Sequence, residues 1–250
     1  MTGGSVPSAF QALFFLLGLV FGSFGTVLVE RLPAGQSIGG RSRCAHCKKK
    51  LRFWELIPAA SYLFLIGRCR HCQSPIGWQS LFLELGSAGL FLFALLLHSS
   101  SPVGALILAL IFWLLLLVTV IDAQTKTIPD LLDIPLFLLC LLHAFLFGPL
   151  TVSGLLLGGA FFGAQWALSR GRWVGSGDVF LAVALGIFLG TWQRMLLCLI
   201  IAYIVGALIV SILLTAGKVK RGSLIAFGPF LILGALLVFL FGDALALAFL

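Results

Sequence analysis

The chain has 250 residues, 61% of them apolar and only 10% charged, with a formal net charge of +8. Soluble domains carry about 25% charged residues, so a mean hydropathy of +1.17 excludes an ordinary soluble globular domain. The excess of positive charge reads as a topology signal, and no nucleic-acid partner is expected.

Eight apolar segments follow one another, at about 10–29, 81–97, 103–121, 131–149, 152–168, 179–190, 195–216 and 225–249. Their recurrence predicts an all-α polytopic membrane protein with about eight transmembrane helices. No Lys or Arg precedes the first segment, which ends at Glu30-Arg31 without a small-residue cleavage site. It is expected to be a retained span, not a removed signal peptide. The sixth segment is short for a crossing. Glycines inside the spans, as in Gly154-Leu-Leu-Leu-Gly158, are expected to serve close helix packing.

Nine of the sixteen basic residues, from Arg31 to Arg70, lie between the first two segments. Lys126 follows the third, Arg170 and Arg172 the fifth, and Lys218, Lys220 and Arg221 the seventh. Only Arg194, after the sixth, falls on the other side of the predicted membrane. The side with fifteen is expected to be cytoplasmic, and its Lys and Arg suit anionic lipid headgroups. Within the first loop, Trp54–Gly67 is apolar but only 14 residues long, too short to span. It is expected to pack or lie at the interface.

That loop also carries Cys44-Ala-His-Cys47 and Cys69-Arg-His-Cys72, separated by 21 residues. Cys44, Cys47, Cys69 and Cys72 are candidate ligands of one structural zinc, because four thiolates close a tetrahedral shell and leave no open position for chemistry. A cytoplasmic loop disfavours disulfides. His46 and His71 are left as non-ligands, and Cys140 and Cys198, inside spans, as small apolar fillers. The expected division is 1–30 as the first transmembrane helix, 31–80 as a cytoplasmic zinc-binding loop domain, and 81–250 as a membrane-embedded catalytic region.

Two acidic motifs remain. Asp122-Ala-Gln-Thr-Lys-Thr-Ile-Pro-Asp130 follows the third segment, and Gly175-Ser-Gly-Asp178 precedes the sixth, so the map puts Asp122 and Asp178 on the same side. Asp130 and Asp133 read as first-turn residues of the next helix, where a negative side chain meets the positive helix end. A pair of neighbouring carboxylates can hold one proton between them, one member activating water while the other polarises a peptide carbonyl. Asp122 and Asp178 are therefore the candidate catalytic pair. An ion-coupled transporter or channel is the alternative, since intramembrane carboxylates also line ion pathways.

Together these motifs resemble the type IV prepilin peptidases, leader peptidases of the GxGD aspartyl protease class. The resemblance rests on Gly18-Leu-Val-Phe-Gly-Ser-Phe24, Arg31-Leu-Pro33, the two cysteine pairs with Ile57-Pro58 and Gly67-Arg-Cys69, Ile76-Gly-Trp78 and Glu84, and both aspartate motifs. It implies a multi-pass protein of the bacterial inner membrane whose active site faces the cytoplasm. Asp122 and Asp178 would be catalytic and Asp130 would not. Implied substrates are prepilins or pseudopilins, cut after the glycine that ends a short basic leader. Many members also methylate the new N-terminus with S-adenosylmethionine, which the resemblance adds as a candidate cofactor. Gly25-Thr26 stands where the family usually has Leu-Asn, and Trp78-Gln-Ser lacks its usual Arg-Tyr.

Overall fold

The computed structural model describes residues 7–44, 46–148, 150–220 and 222–249, with the side chains of the last helix described to Gly242. Among these the chain is helical: α1 (Ser8–Arg31), short α2 (Ala60–Phe64), α3 (Trp78–Leu97), α4 (Pro102–Thr125), α5 (Asp130–Phe147), α6 (Ser153–Ser169), α7 (Ser176–Leu189), α8 (Trp192–Thr215) and α9 (Gly228–Phe249). Helices satisfy their own backbone groups, as an apolar solvent demands. Their starts follow from the sequence. Pro102 opens α4, where its missing N–H costs nothing, and the Ser101 hydroxyl accepts the Gly104 N–H at 3.1 Å. The Thr191 hydroxyl accepts the Arg194 N–H at the head of α8.

Each apolar segment of the sequence corresponds to a helix. Among the described residues five, α1, α3, α4, α5 and α8, are long and apolar enough to cross a membrane. Helix α6 has 17 residues and α7 only 14. At ~1.5 Å per residue a 14-residue helix is about 21 Å long, against a hydrocarbon core of about 30 Å. Helix α9 is 22 residues long, with its side chains described to Gly242. Trp54–Gly67 does not span: it forms a single 3-10 turn, Phe53–Leu56, and then α2, with Trp54, Phe64 and Ile66 exposed.

The chain forms two compact units, 1–117 and 118–250. In the first, α1 packs along α3 at very short range. A Cβ on Gly18 would stand 2.5 Å from Ala88 Cα, and one on Gly22 equally close to Glu84 Cα. Phe14, Phe21 and Phe91 fill the space above this contact, and the Trp113 ring donates to the Phe21 carbonyl at 3.0 Å. The glycine that replaces the resembled family's Leu has a packing reason. A Cβ on Gly25 would press on Leu117 Cδ2 at 2.8 Å.

In the second unit α7 is the central helix, touching α5, α6, α8 and α9. Its contact with α6 is backbone on backbone, since a Cβ on Gly154 would lie 2.5 Å from the Gly186 carbonyl. The glycines of the Gly154–Gly158 stretch thus serve packing, as expected. Being central, α7 is fixed from four sides, and Asp178 sits in its first turn.

Candidate active site

The four cysteines of the first loop converge. Their sulfurs all lie within 4.8 Å of one another, and neither His46 nor His71 belongs to this set. A tetrahedron of ~2.3 Å zinc–sulfur bonds separates its sulfurs by about 3.8 Å, and Cys44 Sγ and Cys72 Sγ stand 3.8 Å apart. The two knuckles are built alike. In each, the N–H of the first cysteine meets a carbonyl five residues on, from Cys44 to Lys49 at 3.0 Å and from Cys69 to Ser74 at 2.9 Å. In each, the residue after the second cysteine is left-handed, Lys48 at φ 57° and Gln73 at φ 56°. Matching bridges, Arg43 with Lys50 and Arg68 with Pro75, close both turns.

The Cys47 backbone N–H leads the groups that hold the Cys44 thiol down to about 6, against the opposing effect of burial. The Ser74 hydroxyl, 3.0 Å from Cys72 Sγ, lowers that thiol too. Lowered thiols favour the thiolates a metal takes, whereas Cys47, against the Lys49 N–H that lowers it, is pushed up to about 11 by burial and by its fellow cysteines. The cluster can hold a metal ion, and its donors suit zinc. Chelation is therefore expected to release about one zinc per chain and to open the loop to trypsin at Lys48, Lys49, Lys50 and Arg70. Metal analysis and mapping of the cuts check this; an untouched loop after complete metal loss would remove the cluster's structural role.

Asp122, 4% exposed, lies one turn before the end of α4. Its Oδ2 accepts the Gly228 N–H at 2.9 Å, at the first residue of α9. Asp178 is half-buried. Its Oδ2 accepts the Gly175 N–H at 3.3 Å, and its Oδ1 is buried without a hydrogen-bond partner. The Asp178 carboxylate acts electrostatically on Asp122. The C-terminal end of α4 and the N-terminal ends of α7 and α9 therefore meet at one end of the second unit.

The connection after α4 completes this end. Thr125 and Thr127 join hydroxyls at 2.9 Å, and the Lys126 N–H returns to the Asp122 carbonyl at 2.7 Å. Ile128 is thereby laid against Gly177, where a Cβ would come within 2.9 Å of the Ile128 Cβ. The middle glycine of the second motif thus makes room for the isoleucine of the first, and the two motifs interlock. Helix N-termini and backbone N–H groups favour negative charge at this end.

Asp130 and Asp133 occupy the first turn of α5, as the sequence suggests. Burial separates them: Asp130 is exposed and Asp133 is 3% exposed. Gly228 was not among the residues singled out from the sequence. Its signal is Phe227-Gly-Pro229 at the head of the last apolar segment, on the side where both aspartates were placed.

Comparison with known proteins gives a consistent picture. The profile of the "Bacterial Peptidase A24 N-terminal domain" matches residues 16–98 and that of the "Type IV leader peptidase family" residues 109–211. A prepilin leader peptidase/N-methyltransferase of Burkholderia pseudomallei is 35% identical, covering 95% of this chain and 88% of the relative. Its counterpart in Pseudomonas aeruginosa is 33% identical over 98% and 95% of the two chains, and that of Aeromonas hydrophila 30% over 96% and 93%. No solved structure matches. Identity of this degree, sustained over nearly the full length of both chains, means that this chain belongs to the type IV leader peptidase family.

Proposed function

We propose that the chain is a membrane-embedded aspartic endopeptidase that removes the basic leader of type IV prepilins or pseudopilins. Asp122 and Asp178 are its catalytic pair, and the active site faces the cytoplasm at the bacterial inner membrane. The observation that supports the reading is the contact of the two motifs, Ile128 of the first against Gly177 of the second, with their acids 56 positions apart in sequence and Asp178 acting electrostatically on Asp122. Like charges in close contact do not both ionise easily, so the pair holds one proton and titrates as a unit. The ionised member takes a proton from water as the protonated member polarises the peptide carbonyl. The Gly228 N–H keeps the Asp122 carboxylate in place through this exchange. Zinc, held by Cys44, Cys47, Cys69 and Cys72, stabilises the loop of the 31–80 region and takes no part in hydrolysis. Family membership leaves the transporter alternative without an observation in its favour.

The chain is further proposed to methylate the new N-terminus, and the first unit offers the methyl donor a place. A cavity of about 250 Å³ lies among α1, the cysteine loop, α2 and the start of α3. Glu30, Glu55, Glu84, Arg43, Ser23 and Tyr62 are among its lining residues. Glu84 is buried, and its Oε2 accepts the Ala59 N–H at 2.7 Å. S-adenosylmethionine carries a sulfonium and an ammonium, which three carboxylates suit, and a carboxylate, which Arg43 suits; the hydroxyls of Ser23 and Tyr62 suit its ribose. Bound there, it would supply an electrophilic methyl group.

One experiment addresses both halves. Purified protein is incubated with a prepilin, with and without S-adenosylmethionine, and the products are weighed. The leader is expected to be lost in both arms and about 14 Da to be gained only with the donor. Calorimetry with S-adenosylhomocysteine should give binding in the wild type and weaker binding in Glu84→Gln. Cleavage without binding would keep the peptidase and discard the methyl-donor site.

A further inference from the structure

The first turn of α5 holds a buried acid that the catalytic pair leaves unused. Asp133 is 3% exposed, and neither of its carboxyl oxygens has a hydrogen-bond partner. Helix capping does not account for it. A capping acid turns its oxygens onto the free N–H groups of the first turn or into solvent, and Asp133 does neither. Buried polar atoms without partners cost free energy and ask for a reason.

The surroundings supply one. Helix α5 packs on α7, and the titratable group that acts on Asp133 from α7 is Asp178, whose Oδ1 is likewise buried and unpartnered. Helix α7 carries no other titratable residue. From its own helix Asp133 feels Asp130, and Lys126 in the preceding connection is exposed. Asp133 and Asp178 thus hold three buried, unpartnered carboxyl oxygens on two helices packed against each other, and no basic side chain acts on Asp133. A proton is the smallest object that satisfies such an arrangement. A protonated carboxyl donates one hydrogen bond, and a carboxylate oxygen has lone pairs to accept it.

We propose that Asp133 is a positioning residue of the peptidase site: its protonated carboxyl supplies the hydrogen-bond donor that Asp178 Oδ1 lacks, either after a side-chain rotation or through one bridging water. This rests on the reading of Asp122 and Asp178 as the catalytic pair. The bond fixes the direction in which Asp178 presents its other oxygen to the substrate. It changes no covalent bond and consumes no reactant.

The test compares Asp133→Asn, Asp133→Ser and Asp133→Leu in the full-length protein, in prepilin cleavage with kcat and KM measured separately. Asn and Ser keep a donor, and Leu removes it at similar volume. Asp133→Leu leaves Asp178 Oδ1 buried without its donor, so it is expected to melt lower than the wild type, and kcat is read on the folded, inserted fraction. Its kcat should fall about tenfold or more, with KM little changed, while Asp133→Asn stays within about threefold of the wild type. A full-speed Asp133→Leu would overturn the proposal, as would an Asp133→Asn as slow as Asp133→Leu at unchanged stability. If Asp133→Leu fails to insert, Asp133→Ala replaces it as the variant without a donor: Asp133→Ala must lose kcat where Asp133→Asn keeps it, and equal activity of the two overturns the proposal. Asp122→Asn is run alongside: its full activity would instead indict the catalytic pair, leaving the two failures distinguishable.

Discussion

Asp122→Asn and Asp178→Asn are each expected to lower prepilin cleavage by about 1,000-fold or more, since a carboxyl that moves protons is replaced by an amide that does not. The fold should survive both changes. Asn matches Asp in volume, and at position 122 its amide oxygen can still accept the Gly228 N–H that reaches Oδ2 at 2.9 Å. At position 178 the amide oxygen can keep the Gly175 N–H, while its NH₂ offers a donor on the side of the unpartnered Oδ1. Zinc content should remain that of the wild type, because the four cysteines lie in the other compact unit. The double variant should be no slower than the slower single one, since two groups that share a proton fail together. Cleavage of a prepilin, followed by mass, reads all three variants. Near-normal turnover in either single variant would end the paired-carboxylate mechanism.

Much of this arrangement is legible from residue chemistry alone. Eight apolar runs mark eight helices because a chain this greasy hides its backbone polar groups by helix formation. The boundaries follow closely: 10–29 becomes Ser8–Arg31 and 179–190 becomes Ser176–Leu189. The cysteine pairs announce a metal site because each knuckle is a local turn, and local turns depend on few distant contacts. The number of spans is harder to read. The sixth segment, already short for a crossing at 179–190, counts among the eight, and helix α7 ends after 14 residues at Gly190, whose φ is +81°. Asp133 escapes for a different reason. Its local context, an acid just after Ile-Pro-Asp, fully explains a surface cap, and only the packing of α5 on α7 reveals that it is buried. Gly177 shows the reverse: a loop glycine reads as flexibility, and the structure uses it instead as room for Ile128. What the sequence hides is therefore the contact made by a backbone atom or by an absent side chain, since neither leaves a residue type to recognise.

Gly228 is the strongest case and yields a second large effect. Its N–H is the hydrogen-bond donor on the Asp122 carboxylate among the described residues, and a Cβ there would stand 2.7 Å from the same Oδ2. Gly228→Ala is therefore expected to drive the carboxylate off its donor and lower kcat about 100-fold, the scale of losing one backbone-type donor at a reacting charge. Gly228→Val, with a larger side chain, should leave no measurable cleavage. KM should move little, because the carboxylate meets the scissile bond and not the apolar body of the substrate. Unfolding is separated from this loss by measuring kcat on the folded fraction of each variant. Gly234→Ala gives the contrast within α9. Its Cβ would press on the Cys198 carbonyl at 2.6 Å, between α8 and α9, remote in contact from the aspartates. That variant should melt lower while its folded fraction keeps the wild-type kcat. A Gly228→Ala protein with undiminished kcat would mean that Asp122 is held by something other than the start of α9.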